Sequence, residues 1–341
     1  MFHSCFVNDS CYTVLLRQDG ARHDGADCLR NDPISSSKTV AAILTSNRRF
    51  WLLAVLLASL AYAAFSMHLG ERVFYSLKTT WHESRWEQRS LWLPEYRAVI
   101  DALPVASVKD NLSGLTYDDQ RDQLWAVLNN PEELLALGKD GRLIARYPLR
   151  GFEDVEGVTY LGDDLLVLTE ERKQSLVIVR IPETVGPLNR ADYQSVTLNL
   201  HVAENAGFEG IGYDRKGDRL FVVKEHSPRK LYEIQGLKRT LDGRLDLSVI
   251  DRNAWIEDKG MASDLASVHF DERTGHLVLL SDEARMMLEL DGQGEMVSFR
   301  SLWGGFAGLE RSVPQAEGMT FDGQGNLYLV SEPNLFYSFE H

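Results

Sequence analysis

Five stretches of the chain repeat one pattern of apolar and polar positions. Each has a Gly or Ser, two residues, an aromatic, a polar turn and then an apolar run. They read SGLTYDDQRDQLWAVLN (113–129), EGVTYLGDDLLVLTE (156–170), EGIGYDRKGDRLFVVKE (209–225), ASVHFDERTGHLVLLSD (266–282) and EGMTFDGQGNLYLVSE (317–332). The aromatics Tyr117, Tyr160, Tyr213, Phe270 and Phe321 are spaced by 43, 53, 57 and 51 residues. Short apolar runs with Asp/Gly/Asn turn tips predict antiparallel hairpins.

A third strand is predicted at Leu134–Leu137, Leu176–Ile181, Leu231–Ile234, Met287–Leu290 and Leu335–Phe339. A fourth is predicted in the first four copies only, at Leu143–Tyr147, Val196–Leu200, Leu245–Ile250 and Met296–Leu302. Four strands per unit at this period make the blade of a β-propeller. The last copy stops after its third strand, while residues 96–103 (YRAVIDAL) form a strand-like run before the first. The fold expected is therefore an all-β, five-bladed propeller over 94–341, closed by an N-terminal outer strand. An open array or a sandwich would leave the terminal repeats uncovered.

A different pattern precedes the repeats. Residues 50–67 (FWLLAVLLASLAYAAFSM) are 18 residues without a charge. As a helix they would span about 27 Å, close to the hydrocarbon thickness of a bilayer. Lys38, Arg48 and Arg49 precede them, which keeps the N-terminus cytoplasmic and exports the remainder. A buried core helix would carry a polar stripe. Ala61-Tyr62-Ala63 resembles a cleavage site, but the run is long and lies deep in the chain, so an uncleaved signal anchor over 38–69 is favoured. Residues 70–93 read as a membrane-proximal spacer, in which Trp81, Trp86 and Trp92 make no clean helical stripe. Residues 1–37 read as a disordered cytoplasmic tail or an artefact of start-codon choice. They hold all three cysteines, Cys5, Cys11 and Cys28, so neither a disulfide framework nor a cysteine–zinc site supports the main body.

Charge then narrows the function. The 341 residues carry a net charge of −14. Residues 1–68 hold 6 Lys/Arg and 5 Asp/Glu, which leaves 30 and 45 of the chain's 36 and 50 for residues 69–341, a balance of −15. Nucleic acid is excluded as a partner, since binding phosphates needs a basic face.

Aligning the copies lines up the acids. Five residues after the aligned leucines of the second strands come Asn129, Glu170, Glu225, Asp282 and Glu332. Before the first strands stand Ser113, Glu156, Glu209, Ala266 and Glu317, with Asp264 two residues ahead of Ala266. The two strands are antiparallel, so both sets should face one mouth of the central channel. Eight carboxylates crowded there would raise one another's pKa values. A hard cation with oxygen ligands relieves the conflict, and Ca²⁺ tolerates irregular coordination better than Mg²⁺. The metal candidates are Glu156, Glu209, Asp264, Glu317, Glu225, Asp282, Glu332 and Glu170. A turn residue or a solvated rim is the plain alternative for each one taken singly.

The Gly after Glu suits close backbone approach where blades converge. Thr116, Thr159, Gly212 and Thr320 are small at one aligned position, and His269 breaks that rule as a packed or channel-facing histidine. Glu225 and His226 are the candidate catalytic bases.

The stretches NLSGLTYD, EGVTYLGDD with LTEER, GFEGIGYDR with VVKEHSP, and QAEGMTFDGQGNLYLVSEPNLFYSF resemble the SdiA-regulated family, from about Leu91 to His341. The resemblance implies a five-bladed propeller with a calcium site, distantly related to NHL-repeat proteins, on an N-terminal membrane anchor. It implies no established activity. The family's acids map onto Glu156, Glu209, Glu317 and Asp264, though its Asp-x-Ser-Gly motif here reads Asp264-Leu265-Ala266-Ser267.

The function expected is a calcium-binding propeller held on the outer face of a bacterial inner membrane through residues 50–67. It would act as a binding or scaffold module toward an envelope protein or small-molecule ligand. The alternatives are a Ca²⁺-dependent hydrolase, lactonase-like or phytase-like, with its site at the acidic mouth, and a calcium-sensing adhesion module. No Ser/His/Asp motif in its usual context and no Gly-rich phosphate loop occurs. Lys224, Arg229 and Lys230 are the nearest approach to a phosphate-binding patch.

Overall fold

The structure, a computed structural model, describes residues 37–198, 207–224, 228–241, 243, 246–257 and 264–341. Residues 1–37, bar the last, and their three cysteines lie outside the described residues, as do Glu225 and His226.

Two bodies are distinguished along the chain, dividing at Ala58 and Ser59. Helix α1 (Ser37–Ser66) contains Arg48–Ser66, a segment long and apolar enough to cross a membrane, none of it buried. Its bounds agree closely with the apolar run at 50–67.

Residues from Ser59 onward contain a five-bladed propeller. Blade 1 is β2 (Leu112–Asp118), β3 (Gln123–Asn129), β4 (Glu132–Leu137) and β5 (Leu143–Arg150), with the two-residue β9 (Leu188–Asn189) parallel to β5. Blade 2 is β6 (Val155–Gly162), β7 (Leu165–Glu170), β8 (Ser175–Arg180) and β10 (Ser195–Thr197). Blade 3 is β11 (Ile211–Asp214), β12 (Arg219–Lys224), β13 (Lys230–Gln235) and β14 (Ser248–Asp251). Blade 4 is β15 (Ser267–Asp271), β16 (His276–Ser281), β17 (Met286–Leu290) and β18 (Met296–Ser301). Blade 5 is β19 (Gln315–Phe321), β20 (Leu327–Glu332) and β21 (Leu335–Glu340), completed on its outer edge by β1 (Arg97–Pro104). The pairing of β1 with β21 runs from Arg97↔Glu340 to Pro104↔Leu335, as the strand-like run at 96–103 required. It covers an edge that would otherwise expose unpaired backbone groups.

The aromatic–Asp pairs of the repeat explain the first hairpin of four blades. Asp118 Oδ1 accepts the backbone N–H groups of Gln120 and Arg121, and Asp322 Oδ1 those of Gln324 and Asn326. Asp214 Oδ1 accepts Gly217 N–H, and Asp271 Oδ2 accepts Thr274 N–H. Such side chains mimic a backbone turn. Blade 2 lacks this Asp and turns instead through positive φ at Gly162, Asp163 and Asp164.

The core lies between blades. Five apolar clusters form, each shared by two neighbours: for example Trp125 and Tyr147 with Leu166 and Leu168, or Phe221 stacked on Phe270 at 5.5 Å. Tyr328, Val330 and Phe336 of blade 5 pack with Leu124 and Leu135 of blade 1, closing the ring.

Among the described residues, the fourth strand of blade 2 is Ser195–Thr197 and that of blade 3 is Ser248–Asp251, while residues 199, 200 and 245 of the expected strands lie outside the described residues. Each of these outer strands has one half-buried residue, Val196 and Ile250, among exposed ones. Residues 69–86 form helix α2 (Leu69–Trp86), which the tryptophan spacing does not reveal. Tyr75 of α2 stacks on Phe299 of β18 at 5.7 Å. The three tryptophans have separate settings: Trp81 is 87% exposed, Trp86 meets the His276 ring edge-on, and Trp92 is buried. Leu91, Leu93 and Tyr96 pack between blades 4 and 5, where Glu289 accepts the backbone N–H groups of Leu91 (2.9 Å) and Trp92 (3.3 Å).

Candidate metal centre

Close approach at the channel puts the inner-strand starts side by side. A Cβ on Gly157 would lie 2.4 Å from Glu209 O, and one on Gly210 would lie 2.4 Å from Ser267 Cα. Equivalent crowding at Gly114 and Gly318 links blade 1 to blades 2 and 5. Only a residue without Cβ permits this packing. One step inward, the small residues stitch the blades together. Thr116 Oγ1 accepts Tyr160 N–H at 3.1 Å and Thr320 Oγ1 accepts Tyr117 N–H at 3.2 Å.

At this mouth the carboxylates of Asp154, Glu156 and Glu171 converge, with one oxygen of each within 4.8 Å of the others. Glu156 Oε1 accepts a hydrogen bond from Asn129 Nδ2 at 2.6 Å. Burial pushes the Glu156 carboxyl from 4.5 up to about 7, opposed by its hydrogen bonds with Asn129 and Ser113 and assisted by the charges of Asp154 and Glu171. Glu171 is raised by burial too, accepts Gly207 N–H at 3.3 Å, and hydrogen-bonds with Asp154 and Glu209. Asp154 has positive φ, and its Oδ2 lies 2.7 Å from Arg172 Nε at an angle that makes no hydrogen bond. Glu209 of blade 3 thus adjoins a trio from blade 2.

The remaining candidates have different settings. Glu170 is fully buried, accepts Glu153 N–H, and pairs with Arg190 at 3.0 Å and Lys173 at 3.7 Å, so its charge is matched away from the trio. Asp264 is fully buried and accepts Ser281 Oγ–H at 2.5 Å and the N–H groups of Asp282 and Glu283. Asp282 Oδ1 accepts Ala316 N–H at 3.0 Å, and burial raises its carboxyl to about 6. Glu332 is raised by burial and by the charges of Asp110 and Asp282, and Glu317 is half-buried at the start of β19. Glu225 and His226 lie outside the described residues.

Sequence alignment misses Asp154 and Glu171. Glu171 directly follows Glu170, and successive side chains at a strand end point opposite ways. The aligned Glu170 therefore turns to Arg190 while its neighbour reaches Glu156. The signal available was the pair of doublets Asp154-x-Glu156 and Glu170-Glu171 on one blade.

The profile of the SdiA-regulated family matches residues 88–340. The chain belongs to that family.

This SdiA-regulated propeller is similar in fold to a luciferin-regenerating enzyme, with a TM-score of 0.47 and 11% identity over 73% of this chain and 95% of that one. It is similar to a calcium-binding protein, regucalcin, from Agrobacterium tumefaciens (0.45, 13%, 71% and 92%) and to a streptogramin B lyase (0.42, 10%, 72% and 97%). At these scores none of the three carries a residue role over to this chain.

The opposite mouth of the SdiA-regulated propeller is aromatic. Tyr117, Tyr160, Tyr213, Phe270 and Phe321, the repeat's own aromatics, line a cavity of about 450 Å³. Arg215 of blade 3 reaches across it to Asp119 of blade 1 with two hydrogen bonds of 3.0 Å. His269 also borders this cavity, its ring 5.1 Å from Phe321, and burial lowers its pKa to about 4. It is neutral at pH 7 and faces the aromatic mouth rather than the acidic one.

Proposed function

We propose that this SdiA-regulated protein is a membrane-anchored, extracytoplasmic propeller that holds a calcium ion at its acidic mouth and serves as a binding or scaffold module. The observation that carries the reading is the meeting of Asp154, Glu156 and Glu171 within 4.8 Å. The donor chemistry fits a hard cation, because every candidate ligand atom is a carboxylate oxygen. The Glu156 carboxyl, raised to about 7, marks the cost of holding these charges together without one. Asp154, Glu156 and Glu171 would be the ligands, with Glu209 beside them. The cation would join blades 2 and 3 and let all four acids ionise. Glu317, Asp282, Glu332 and Asp264 would complete the acidic rim on blades 4 and 5. The apolar helix Arg48–Ser66 would place the propeller on the outer face of the membrane. A hydrolytic role would need Glu225 or His226 beside the cation, and both lie outside the described residues.

The test is a thermal melt of the full chain in detergent, first with excess chelator and then with graded Ca²⁺ or Mg²⁺. Binding to the folded state alone adds about 2.7 kcal/mol at one hundred times the dissociation constant. A saturable rise selective for Ca²⁺ supports the reading. No shift in protein shown to be metal-free overturns it.

A further inference from the structure

Helix α2 has its apolar side turned outward. Arg72, Tyr75 and Thr79 face the propeller and are buried, whereas Val73, Phe74, Leu77 and Trp81 are exposed. Spacings of one, four and eight residues place these four on one face of the helix. The buried side makes poor use of its polar groups: Tyr75 Oη, Thr79 Oγ1 and His82 Nδ1 have no hydrogen-bond partner. Arg72 is held by Ser301 Oγ at 2.7 Å and lies 4.0 Å from the Trp303 ring centre. A helix seated on a protein in water has the reverse arrangement, because apolar burial drives docking. The outward stripe also runs into a groove of about 560 Å³ between α2 and β18, where Leu69, Val73 and Leu77 face Phe306. Phe306 is itself exposed.

The chain itself limits what can cover this face. Helix α1 ends at Ser66 and α2 begins at Leu69. The two linking residues reach no further than about 10 Å. We infer that the Val73–Phe74–Leu77–Trp81 face of α2 lies in the lipid interface of the membrane that Arg48–Ser66 crosses, and that α2 is a surface-lying extension of the anchor. The inference rests on the membrane reading of that helix. Such helices insert an apolar face among the headgroups, and Trp is favoured at that depth. Blade 4, which carries α2 on β18, would then be the blade nearest the lipid, and the stripe would be desolvated by acyl chains instead of protein.

The experiment uses the full chain with Cys5, Cys11 and Cys28 changed to Ser, in phosphatidylcholine–phosphatidylglycerol vesicles. A nitroxide is attached in turn to Leu77→Cys, to Leu56→Cys in α1 and to Gln293→Cys in an exposed propeller turn. Collision with oxygen, which partitions into lipid, is compared with collision with a water-soluble nickel chelate. The expected result is oxygen-favoured collision at 56 and 77 and nickel-favoured collision at 293. Lipid behaviour at 56 with water behaviour at 77 overturns the inference and leaves the anchor standing. A label at 77 shielded from both reagents means that protein, a second copy included, covers the stripe, which also overturns it. Water behaviour at 56 removes the anchor reading and the inference with it.

Discussion

Asn129 of blade 1 donates a 2.6 Å hydrogen bond to Glu156 of blade 2, across the seam where the two inner strands meet. Asn129 is the one amide in the aligned series that is otherwise acidic, and it stands beside a carboxyl that burial pushes up to about 7. A fifth acid here would add charge to a crowded cluster. An amide supplies a donor that favours the charged form of Glu156 against the effect of burial.

Replacing that donor should be felt at the cation. Asn129→Ala is expected to push the Glu156 pKa above 7 and to weaken Ca²⁺ binding at neutral pH by about 10-fold to 100-fold, the usual effect of removing a group that orients a ligand. Calorimetric titration at pH 6.5 and 8 checks it. An affinity equal to the parent's at both values would show that Glu156 is not a ligand.

The acidic mouth also predicts an unusual pH dependence. Glu156 is raised from 4.5 to about 7 and Asp282 from 3.8 to about 6, so the folded state binds these protons more tightly than the unfolded chain. The stability they contribute is complete below their ordinary values and is lost as pH rises through the folded values. Metal-free protein should therefore lose stability between about pH 4.5 and 7, as followed by denaturant unfolding at fixed salt. With Ca²⁺ the Glu156 proton competes with the ion, so apparent affinity should rise over that range and level off above it. A chelated protein equally stable at pH 5 and 7 would contradict the assignment.

Two acids of blade 2 should separate cleanly. Glu170→Ala leaves the Arg190 guanidinium without its buried carboxylate and should cost up to about 3–5 kcal/mol of stability while sparing cation affinity. Glu156→Gln should do the opposite, stabilising the chelated protein at pH 7 and weakening Ca²⁺ binding. Unfolding and metal titration of both variants give the four numbers. Equal loss of affinity in the two would place Glu170 in the site after all.

Gly157→Ala tests the seam itself. Its new Cβ would fall 2.4 Å from Glu209 O and 2.9 Å from Thr169 Oγ1, forcing blades 2 and 3 apart. Overpacking of this kind costs about 1–3 kcal/mol. Because Glu209 adjoins Glu171, cation affinity should fall with stability. A neutral variant on both counts would mean that the blades are not tightly apposed there.

Much of this was legible in the linear pattern. Alternating apolar runs, the aromatic–Asp turns and the unpaired run at 96–103 are local or periodic signals, and they determine the blades, their number and the strand that closes the ring. The long uncharged run at 50–67 depends on composition alone and likewise needs no partner. The Glu-Gly steps at 156 and 209 announce both a carboxylate and a close approach, and the structure supplies the approach.

What the pattern could not decide is which side chains meet. Glu170 and Glu171 are neighbours in sequence with equal charge, yet one is matched by Arg190 and the other joins Asp154 and Glu156. Arg190 comes from the connection leading to β10, 20 residues away, so the choice depends on how a loop returns to its blade. Helix α2 depends on tertiary structure in the same way: the tryptophans of residues 70–93 show no helical stripe, and the helix's seat on β18 follows from Tyr75 meeting Phe299, far apart in the chain. Periodicity is a property of neighbours along the backbone and is written in the sequence. A site is a property of neighbours across space, and here the pairing of β6 with β7 brings Asp154, Glu156 and Glu171 together.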